Sequence, residues 1–356
     1  MVRSLAAVEG TATVLSQRQR RRDAARTRQG WDTYGPARPF QGLWVGLAVL
    51  LLLPGLVLTA MRLVPPTDDA PALVASFISY AVLTYLLSFG CFVVALLRAR
   101  RRAVLGMLSG ITAVLLVCHI CWLAPLFRAD HRQPRTDSFA VMTLNLLHGQ
   151  ADSGAVMQRA RAADVVVLLE ATDSSITDLD RYGWSERFPF SAGKPQQGAE
   201  STVVFSRLPM SEQASLSRSQ AQQWIATVSV PQIGPVRVIA AHPCNPYCGQ
   251  NRWHSEHQEL ADAAAANMGQ PLLVAGDLNA VEDHKSMLVM RRDGLKSATD
   301  ILGAGWLPTY PSGRSIPPLL PIDHILVNRF LTATSIERFE VAGTDHLGLM
   351  ARIAGT

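Results

Sequence analysis

Three long apolar runs lie close together near the amino end of the chain, and the rest of the sequence alternates short apolar and polar stretches. The runs cover about residues 42–64, 73–97 and 103–127. The first contains one charged residue, Arg62, and the other two contain no Lys, Arg, Asp or Glu. A bilayer core about 30 Å thick is crossed by ~20 such residues in a helix. The pattern therefore predicts three transmembrane helices.

The charged residues around these runs predict the orientation of the chain. Residues 1–41 hold eight arginines against three acidic residues, so we expect a disordered basic tail. A nucleic-acid-binding arm is the alternative. Residues 65–72 are acidic and rich in proline, whereas Arg98, Arg100, Arg101 and Arg102 fill the next turn. Because cytoplasmic loops collect Lys and Arg, we expect a multi-pass plasma-membrane protein with a cytoplasmic amino terminus and an extracytoplasmic carboxy-terminal domain.

From about residue 137 onward, eight short apolar runs separated by turns predict a β-rich domain. They are SFAVMTLNLL, DVVVLLE, ESTVVFS, QWIATVSV, VRVIAAH, PLLVAGDLN, IDHILVN and GLMARI. Several are apolar throughout, which is typical of strands covered on both faces. Residues 154–162 and 255–268 have helical composition. The pattern predicts an α+β domain in which helices cover the sheets.

The composition narrows the class of protein further. The chain is 48% hydrophobic and 17% charged, with a formal net charge of +5 and five cysteines among 356 residues. Five cysteines are too few for a small disulfide-stapled scaffold. Cys244 and Cys248 lie in the segment HPCNPYC, where a local disulfide is predicted for an oxidising compartment. A two-cysteine metal site is the alternative.

Polar residues follow the apolar strands at their ends, one strand after another. They are Asn145, Glu170, His242, Asp277, Asn279, Asp323, Asp345 and His346. Taken singly, each is also typical of a turn or a solvated strand cap. Several buried carboxylates in one place need a cation, a proton or one another, because an unpaired buried charge is costly. The ordered set therefore predicts a metal site.

These residues lie in the blocks TLN, LLE, AAH, GDLN, IDHI and TDH, which occur in this order over residues 139–353. In this succession the chain resembles the endonuclease/exonuclease/phosphatase superfamily, typified by deoxyribonuclease I. The resemblance implies a four-layer αββα sandwich, which the three predicted transmembrane helices precede. Together with the apolar runs, it divides the chain into the tail at 1–41, the helices at 42–127, a linker at 128–138 and the extracytoplasmic domain at 139–356.

The resemblance also implies a role for each residue. Glu170 would be the principal ligand of Mg²⁺ or Mn²⁺, with Asn145 and Asp345 beside it, since oxygen ligands suit these ions. Asp277 matches the aspartate that orients or deprotonates the attacking nucleophile. Asn279 matches a phosphate contact, and His242 matches a histidine beside the scissile phosphate. Asp345 and His346 match a pair in which the carboxylate fixes the imidazole tautomer. Asp323 would form hydrogen bonds that hold this network in place.

A narrower resemblance rests on the three spans and on Pro243, which follows His242. With these features the chain looks like the VanJ type, membrane phosphatases of actinobacteria associated with teicoplanin resistance. The resemblance implies removal of phosphate from undecaprenyl pyrophosphate, the carrier lipid of cell-wall synthesis. Arg252 and Trp253 are candidates for facing the membrane, or else packing residues.

We therefore expect a metal-dependent phosphatase whose partners are the lipid bilayer and a lipid-linked phosphate. Nucleic acid is not expected as a partner, because the outer domain has no dense basic stripe interleaved with aromatic residues. One alternative is an extracytoplasmic phosphodiesterase, either a nuclease or a sphingomyelinase-like enzyme. A second alternative is a non-catalytic sensor of lipid-linked wall intermediates.

Overall fold

The computed structural model describes residues 40–99, 102–130, 132–216 and 222–356. The predicted basic tail therefore lies almost entirely outside the described residues, as do residues 100 and 101 of the predicted cytoplasmic turn. The described chain packs as two compact units. One consists of the described residues up to Leu52 together with Leu86–Ala113, and the other consists of Leu53–Tyr85 together with Val114–Thr356.

Three helical stretches, Gln41–Leu63, Asp69–Arg98 and Ala103–Phe127, are long and apolar enough to cross a membrane. The first is helix α1 (Gln41–Leu63). The second contains α2 (Asp69–Ala75), a 3₁₀ turn at Ile78–Tyr80 and α3 (Ala81–Arg98). The third is α4 (Ala103–Leu123), continued by a 3₁₀ turn at Ala124–Phe127. Only 22% to 33% of each apolar window is buried within the protein, so most of the apolar surface needs an apolar solvent.

The first unit is a cluster of apolar helix segments. Ala48, Phe92 and Ala95 are fully buried in its core. Ser88 Oγ donates a hydrogen bond of 2.8 Å to the carbonyl oxygen of Ala48. Such a hydroxyl needs a partner in the chain, because the hydrocarbon region supplies no water.

The second unit joins the remaining helix segments through a buried polar cluster. Thr59 Oγ1 lies 2.5 Å from Tyr85 Oη and 2.9 Å from His119 Nε2. Gly55 lies one turn before Thr59, and a Cβ there would approach Thr84 Oγ1 to 2.7 Å. The small residue lets the helices approach closely, and the three polar groups satisfy one another away from water.

The second unit also contains two six-stranded sheets, with strand orders β11-β12-β1-β2-β4-β3 and β5-β6-β7-β8-β10-β9. The pairs β1–β2 and β7–β8 are parallel, and the other pairs are antiparallel. The strands are β1 (Phe139–Asn145), β2 (Val165–Leu169), β3 (Phe190–Ala192), β4 (Thr202–Ser206), β5 (Met210–Ser215), β6 (Trp224–Val230), β7 (Gly234–Ala240), β8 (Leu272–Asp277), β9 (Lys296–Ser297), β10 (Asp323–Val327), β11 (Leu331–Phe339) and β12 (Gly348–Gly355).

Helices cover the outer faces of both sheets. They are α5 (Ser153–Ala160), α6 (Asp173–Asp180), α7 (Trp184–Arg187), α8 (Arg252–Ala266) and α9 (Lys285–Arg292). The short helix α10 (Ala298–Leu302) instead contributes Ala298 and Ile301 to the core between the sheets. A core between the sheets joins Val141 and Val167 to Val238 and Ile325. Separate outer cores place α5, α6 and α7 against the first sheet, and α8 and α9 against the second. The predicted four-layer αββα sandwich is therefore confirmed.

All eight predicted runs form strands. The described chain contains four further strands that the sequence pattern does not predict. The strand β5 reads MSEQAS and is an exposed edge strand, β9 has two residues and β3 has three. The strand β11 reads LTATSIERF and has exposed residues in its middle. The predicted helices at 154–162 and 255–268 correspond to α5 and α8.

The segment predicted as a linker, residues 128–138, is hydrogen-bonded to the domain in its described part. Asp130 N–H donates to the carbonyl oxygen of Ile301 at 2.7 Å, and Arg135 N–H donates to that of Gly355 at 2.8 Å. The Asp130 carboxylate also pairs with Arg132 at 3.1 Å and Lys296 at 2.8 Å. The end of the third apolar helix is thus joined to the sandwich by several polar contacts.

Candidate active site

The ends of the two parallel strand pairs bring the predicted site residues to one place. Asn145 is the last residue of β1 and Glu170 follows β2 directly, in the first sheet. Asp277 is the last residue of β8 in the second sheet. Its antiparallel neighbour β10 begins at Asp323, which is in register with Asp277. Because parallel neighbours end at the same sheet edge, their polar tips meet there.

Asn145 connects the two sheets across this edge. Its Nδ2 donates to Glu170 Oε1 at 3.0 Å and to Asp277 Oδ2 at 3.2 Å. Its Oδ1 accepts the Leu147 N–H at 2.9 Å, which fixes the orientation of the amide. The Glu170 carboxylate also accepts the His148 N–H at 2.9 Å. One amide therefore holds a carboxylate from each sheet.

Two buried imidazoles flank Asp277. His242 Nε2 lies 3.8 Å from Asp277 Oδ2 and 3.9 Å from Glu170 Oε1. His346 Nε2 lies 3.6 Å from the same Asp277 oxygen. The other nitrogen of this ring, Nδ1, is 2.9 Å from Asp323 Oδ2. The arrangement places a carboxylate between two nitrogen groups that can donate protons or hydrogen bonds.

Charge and burial act in opposite directions on these groups. Burial alone would lower the pKa of His346, but the nearby carboxylates, led by Asp323 and Asp277, raise it to about 10. His346 is therefore an imidazolium at neutral pH. Burial raises the pKa of Asp277, with the charge of Asp323 adding to this and the charge of His346 opposing it. A raised pKa makes the ionised Asp277 a stronger base.

The partner of His346 differs from the predicted one. The carboxylate at His346 Nδ1 belongs to Asp323, whereas Asp345 Oδ2 lies 3.8 Å from the guanidinium of Arg314. The Asp345 carbonyl oxygen accepts the Ser312 N–H at 2.6 Å. The carboxylate that fixes the His346 tautomer is therefore that of Asp323 and not, as predicted, that of Asp345.

Asn279 holds the loop after β8 in place. Its N–H donates to Asp277 Oδ1 at 2.8 Å, and its Nδ2 donates to the Pro243 carbonyl oxygen at 3.0 Å. Asn279 and Glu170 both have left-handed backbones, with φ values of 46° and 56°. Such conformations persist in non-glycine residues only where the surroundings hold them, and they are common at functional sites.

The carboxylates of the site fit a hard divalent cation. Asp277 and Asp323 are buried, and one oxygen of each lies within 4.8 Å of the other, whereas His346 as an imidazolium offers no lone pair to a metal. Asp323 Oδ1 is buried and has no hydrogen-bond partner among the described residues. The predicted ligands Asn145, Glu170 and Asp345 line the same cavity as Asp277 and His346. Closely spaced carboxylate oxygens of this kind are ligands that Mg²⁺ and Mn²⁺ prefer.

A cavity of about 720 Å³ is lined by predicted site residues, among them Asp277 and His346. Apolar side chains also line it. They are Leu73 and Phe77, from the second apolar stretch, together with Ile316, Leu319 and Leu320. No Lys or Arg lines this cavity in the part of the chain that the structure describes.

Cys244 and Cys248 are free thiols in the structure, in contrast to the predicted disulfide. Both line the cavity, and their thiols are hydrogen-bonded to each other. Burial raises the pKa of Cys244 above its usual range, and the hydrogen bond with Cys248 and the charge of Glu256 raise it further. Because the thiolate is the species that reacts to form a disulfide, this surrounding slows the oxidation of Cys244.

Sequence reasoning missed several residues that support the site. Trp253, a candidate for facing the membrane, is 1% exposed, and its Nε1 donates to the Asn279 carbonyl oxygen at 3.0 Å. His257, His284 and His324 are buried behind the same loop. These histidines lie in unlike segments, so no pattern along the chain indicates that they act together.

The fold and the site agree with one family. The profile of the Endonuclease/Exonuclease/phosphatase family matches residues 142–346. The chain belongs to this family, whose members are hydrolases that act on phosphoester bonds and generally use divalent metal ions. No curated protein sequence is significantly similar to the chain.

Several solved structures resemble the chain. The human Nocturnin catalytic domain with bound sulfate anion is 18% identical, with 65% of this chain and 99% of that chain covered and a TM-score of 0.50. A functionally unknown conserved protein from Enterococcus faecalis V583 is 14% identical, with 61% and 100% covered and a TM-score of 0.50. An endonuclease/exonuclease/phosphatase from Beutenbergia cavernae DSM 12333 is 20% identical, with 62% and 72% covered and a TM-score of 0.47. At these identities the likeness shows the fold alone.

Proposed function

We propose that the protein is a membrane-anchored, Mg²⁺- or Mn²⁺-dependent phosphatase of the VanJ type that acts on a lipid-linked pyrophosphate. Undecaprenyl pyrophosphate is the proposed substrate, with roles in carrier-lipid recycling and teicoplanin resistance. The observation that carries the proposal is the wall of the catalytic cavity. Leu73 and Phe77, from a stretch apolar enough to cross a membrane, line the same cavity as Asp277 and His346.

The residues support hydrolysis by attack of water on phosphorus. Asp277, flanked by imidazoles, takes the proton of the attacking water as the new P–O bond forms. His346, held by Asp323, presents a fixed positive charge to the phosphoryl oxygens. His242, whose Nε2 lies 3.8 Å from the same Asp277 oxygen as that of His346, donates a proton to the leaving oxygen as the old P–O bond breaks. A divalent ion held by Glu170 and Asn145 would stabilise the negative charge on the transferred group.

The lining of the cavity favours a lipid over a polynucleotide. Proteins that bind nucleic acid neutralise several phosphates with Lys and Arg. Neither Lys nor Arg lines the described cavity, whereas Phe77, Leu319 and Leu320 add apolar surface to its lining. With the phosphate group of a lipid at Asp277 and His346, the adjoining hydrocarbon would lie against these apolar side chains, away from water.

The proposed orientation follows from the arginine-rich and acidic turns. With a cytoplasmic amino terminus, the sandwich and its cavity lie on the extracytoplasmic side. The bilayer and the lipid head group are then the proposed partners, and tethering to the membrane raises the effective concentration of the substrate at the site.

A substrate panel with purified full-length protein in lipid nanodiscs tests the proposal. We expect orthophosphate release from a polyprenyl pyrophosphate with Mg²⁺ or Mn²⁺. Release of mononucleotides from DNA, or of phosphocholine from sphingomyelin, at a comparable rate would favour the phosphodiesterase alternative. Binding of the polyprenyl pyrophosphate without turnover of any of these substrates would favour the sensor alternative.

The apolar wall is tested by a matched pair of variants. Phe77→Ala removes a side chain that lines the cavity, whereas Val74→Ala removes an exposed apolar side chain that does not. We expect Phe77→Ala to raise the KM for a long polyprenyl pyrophosphate about tenfold, because an apolar contact of this size discriminates at that level. Val74→Ala should leave KM unchanged. Equal effects of the two variants would contradict the proposed lipid contact.

A further inference from the structure

The loop from Leu278 to His284, which we call the catalytic loop, connects β8 to α9 and begins directly after Asp277. Three ring nitrogens face three successive carbonyl oxygens of this loop. His257 Nε2 lies 2.8 Å from the oxygen of Leu278, Trp253 Nε1 lies 3.0 Å from that of Asn279, and His324 Nε2 lies 2.8 Å from that of Ala280. The first half of the loop is thus held from behind, on the side of α8 and β10.

His284 holds the second half of the loop and connects it to α2. Its Nδ1 accepts the Val281 N–H at 3.1 Å, so Nε2 carries the ring proton. This Nε2 donates to the Ala72 carbonyl oxygen at 2.9 Å. Burial lowers the pKa of His284 to about 4, so the ring is neutral at pH 7 and each nitrogen keeps one role. Ala72 is fully buried in the same outer core as Trp253.

Asp283 connects the loop to two further points of the apolar stretches. Its Oδ1 lies 3.1 Å from Nε of Arg62, near the end of α1. Its Oδ2 accepts a hydrogen bond of 2.9 Å from Ser79 Oγ, in the 3₁₀ turn before α3. The Arg62 guanidinium also lies over the ring of Trp122, 5.5 Å from its centroid. The end of the catalytic loop is therefore bonded to residues of the first and second apolar stretches.

These contacts act on a loop that holds a strained residue. Asn279 has a left-handed backbone that needs external support, and its N–H orients Asp277 Oδ1. A short loop fixed by His257, Trp253 and His324 at one end has few ways to absorb movement at the other. A change at Asp283 or His284 is therefore expected to reach Asn279 and, through it, Asp277.

We infer that the carboxy end of the first apolar stretch and the amino end of the second position the catalytic loop. They do so through the Arg62–Asp283 ion pair and the Ala72–His284 hydrogen bond. The membrane segment is then part of the catalytic apparatus as well as an anchor. Asp283 and His284 are positioning residues in this scheme, since they act through the loop. The inference rests on the proposed function in one respect, which is that Asp277 takes the proton of the attacking water.

The test compares variants of the full chain in nanodiscs. Arg62→Gln and Asp283→Asn break the ion pair, and Arg62→Lys keeps the charge as the conservative replacement. Asp130→Asn is the matched control, because it breaks the Asp130–Lys296 ion pair, which joins the end of the third apolar stretch to the sandwich and contains no residue of the catalytic loop. Two readouts are used: hydrogen exchange of the amides of residues 278–284, and kcat and KM for the water-soluble monoester p-nitrophenyl phosphate.

We expect Arg62→Gln and Asp283→Asn to speed exchange of the loop amides and to lower kcat about 10- to 100-fold with little change in KM, since small displacements of catalytic groups have effects of this size. Arg62→Lys should restore most of the kcat, and Asp130→Asn should match the wild type in both readouts. Wild-type loop exchange and wild-type kcat in both ion-pair variants would overturn the inference. Changes in loop exchange and kcat no larger than those caused by Asp130→Asn would overturn it as well.

Failure of the proposed function would look different. In that case the wild-type protein would itself hydrolyse none of the phosphate substrates. The hydrogen-exchange comparison, which needs no turnover, would still decide whether the apolar stretches hold the loop.

Discussion

Glu170 and Asp277 occupy equivalent places in the two sheets, at the end of the second strand of a parallel pair, yet their surroundings differ. Glu170 accepts hydrogen bonds from the Asn145 amide and the His148 N–H, and the nearest imidazole nitrogens lie 3.4 Å (His148) and 3.9 Å (His242) from its oxygens. Asp277 lies between two imidazoles, with His346 at 3.6 Å and His242 at 3.8 Å. The Asp277 side chain is 2% exposed, against 11% for Glu170.

The comparison shows how neighbours assign different chemistry to two carboxylates. The Glu170 carboxylate is the more exposed of the two and so the more accessible to a cation. The Asp277 carboxylate exchanges protons more readily, because burial raises its pKa and the imidazolium of His346, held by Asp323, lies 3.6 Å away. The first sheet thus supplies the side suited to a metal, and the second sheet supplies the side suited to proton transfer.

The largest effect is expected for Asp277→Asn. The amide cannot accept the proton of water, so kcat should fall about 10³- to 10⁴-fold with little change in KM. Initial rates of phosphate release measure this, and circular dichroism with thermal melting checks that the variant folds. A kcat within tenfold of the wild type would remove Asp277 from its assigned role.

A different kind of loss is expected for Glu170→Gln. The divalent ion concentration for half-maximal activity should rise by about 100-fold, because a charged ligand is lost, and excess Mn²⁺ should restore much of the rate. Metal titrations of activity for this variant and for Asp277→Asn, side by side, make the comparison. Restoration of Asp277→Asn by excess metal, or failure of excess metal to restore either variant, would contradict the assignment of metal binding to the first sheet and proton transfer to the second.

A smaller effect is expected for Asp323→Asn, and it appears in the pH profile. The carboxylates hold the pKa of His346 at about 10, so the imidazolium persists through neutral pH. Without the charge of Asp323 this pKa falls, so activity should be lost at a lower pH on the alkaline side than in the wild type. Profiles of kcat/KM against pH measure the shift. Asp345→Asn, which removes a charge of weaker influence, should shift the profile less, and superimposable wild-type and Asp323→Asn profiles would contradict this role.

The sandwich was predictable from sequence because its central strands are apolar on both faces. In β2, Val165, Val167 and Leu169 face the core between the sheets, and Val166 and Leu168 face the core under the helices. Strands at the sheet edges lack this pattern. The strand β5 is almost wholly exposed, and its composition resembles that of a loop.

The site residues were predictable as a set, since each follows a recognisable strand, but their pairing was not. Nothing in the order of residues indicates that His346 bonds to Asp323, 23 residues earlier, instead of the adjacent Asp345. The contacts of His284 with Ala72 and of Asp283 with Arg62 join segments more than 200 residues apart. Such contacts depend on how the layers pack, which strand and helix periodicity does not specify.

The central claim is that the converging strand ends form a metal-dependent phosphatase site for a lipid-linked substrate. Its most direct test is orthophosphate release from a polyprenyl pyrophosphate by the full chain in nanodiscs, measured with Mg²⁺, with chelator and with the Asp277→Asn variant. We predict release by the wild type with Mg²⁺ and almost none in the other two cases. Release that persists with chelator or in Asp277→Asn, or its absence from the wild type with Mg²⁺, would contradict the claim.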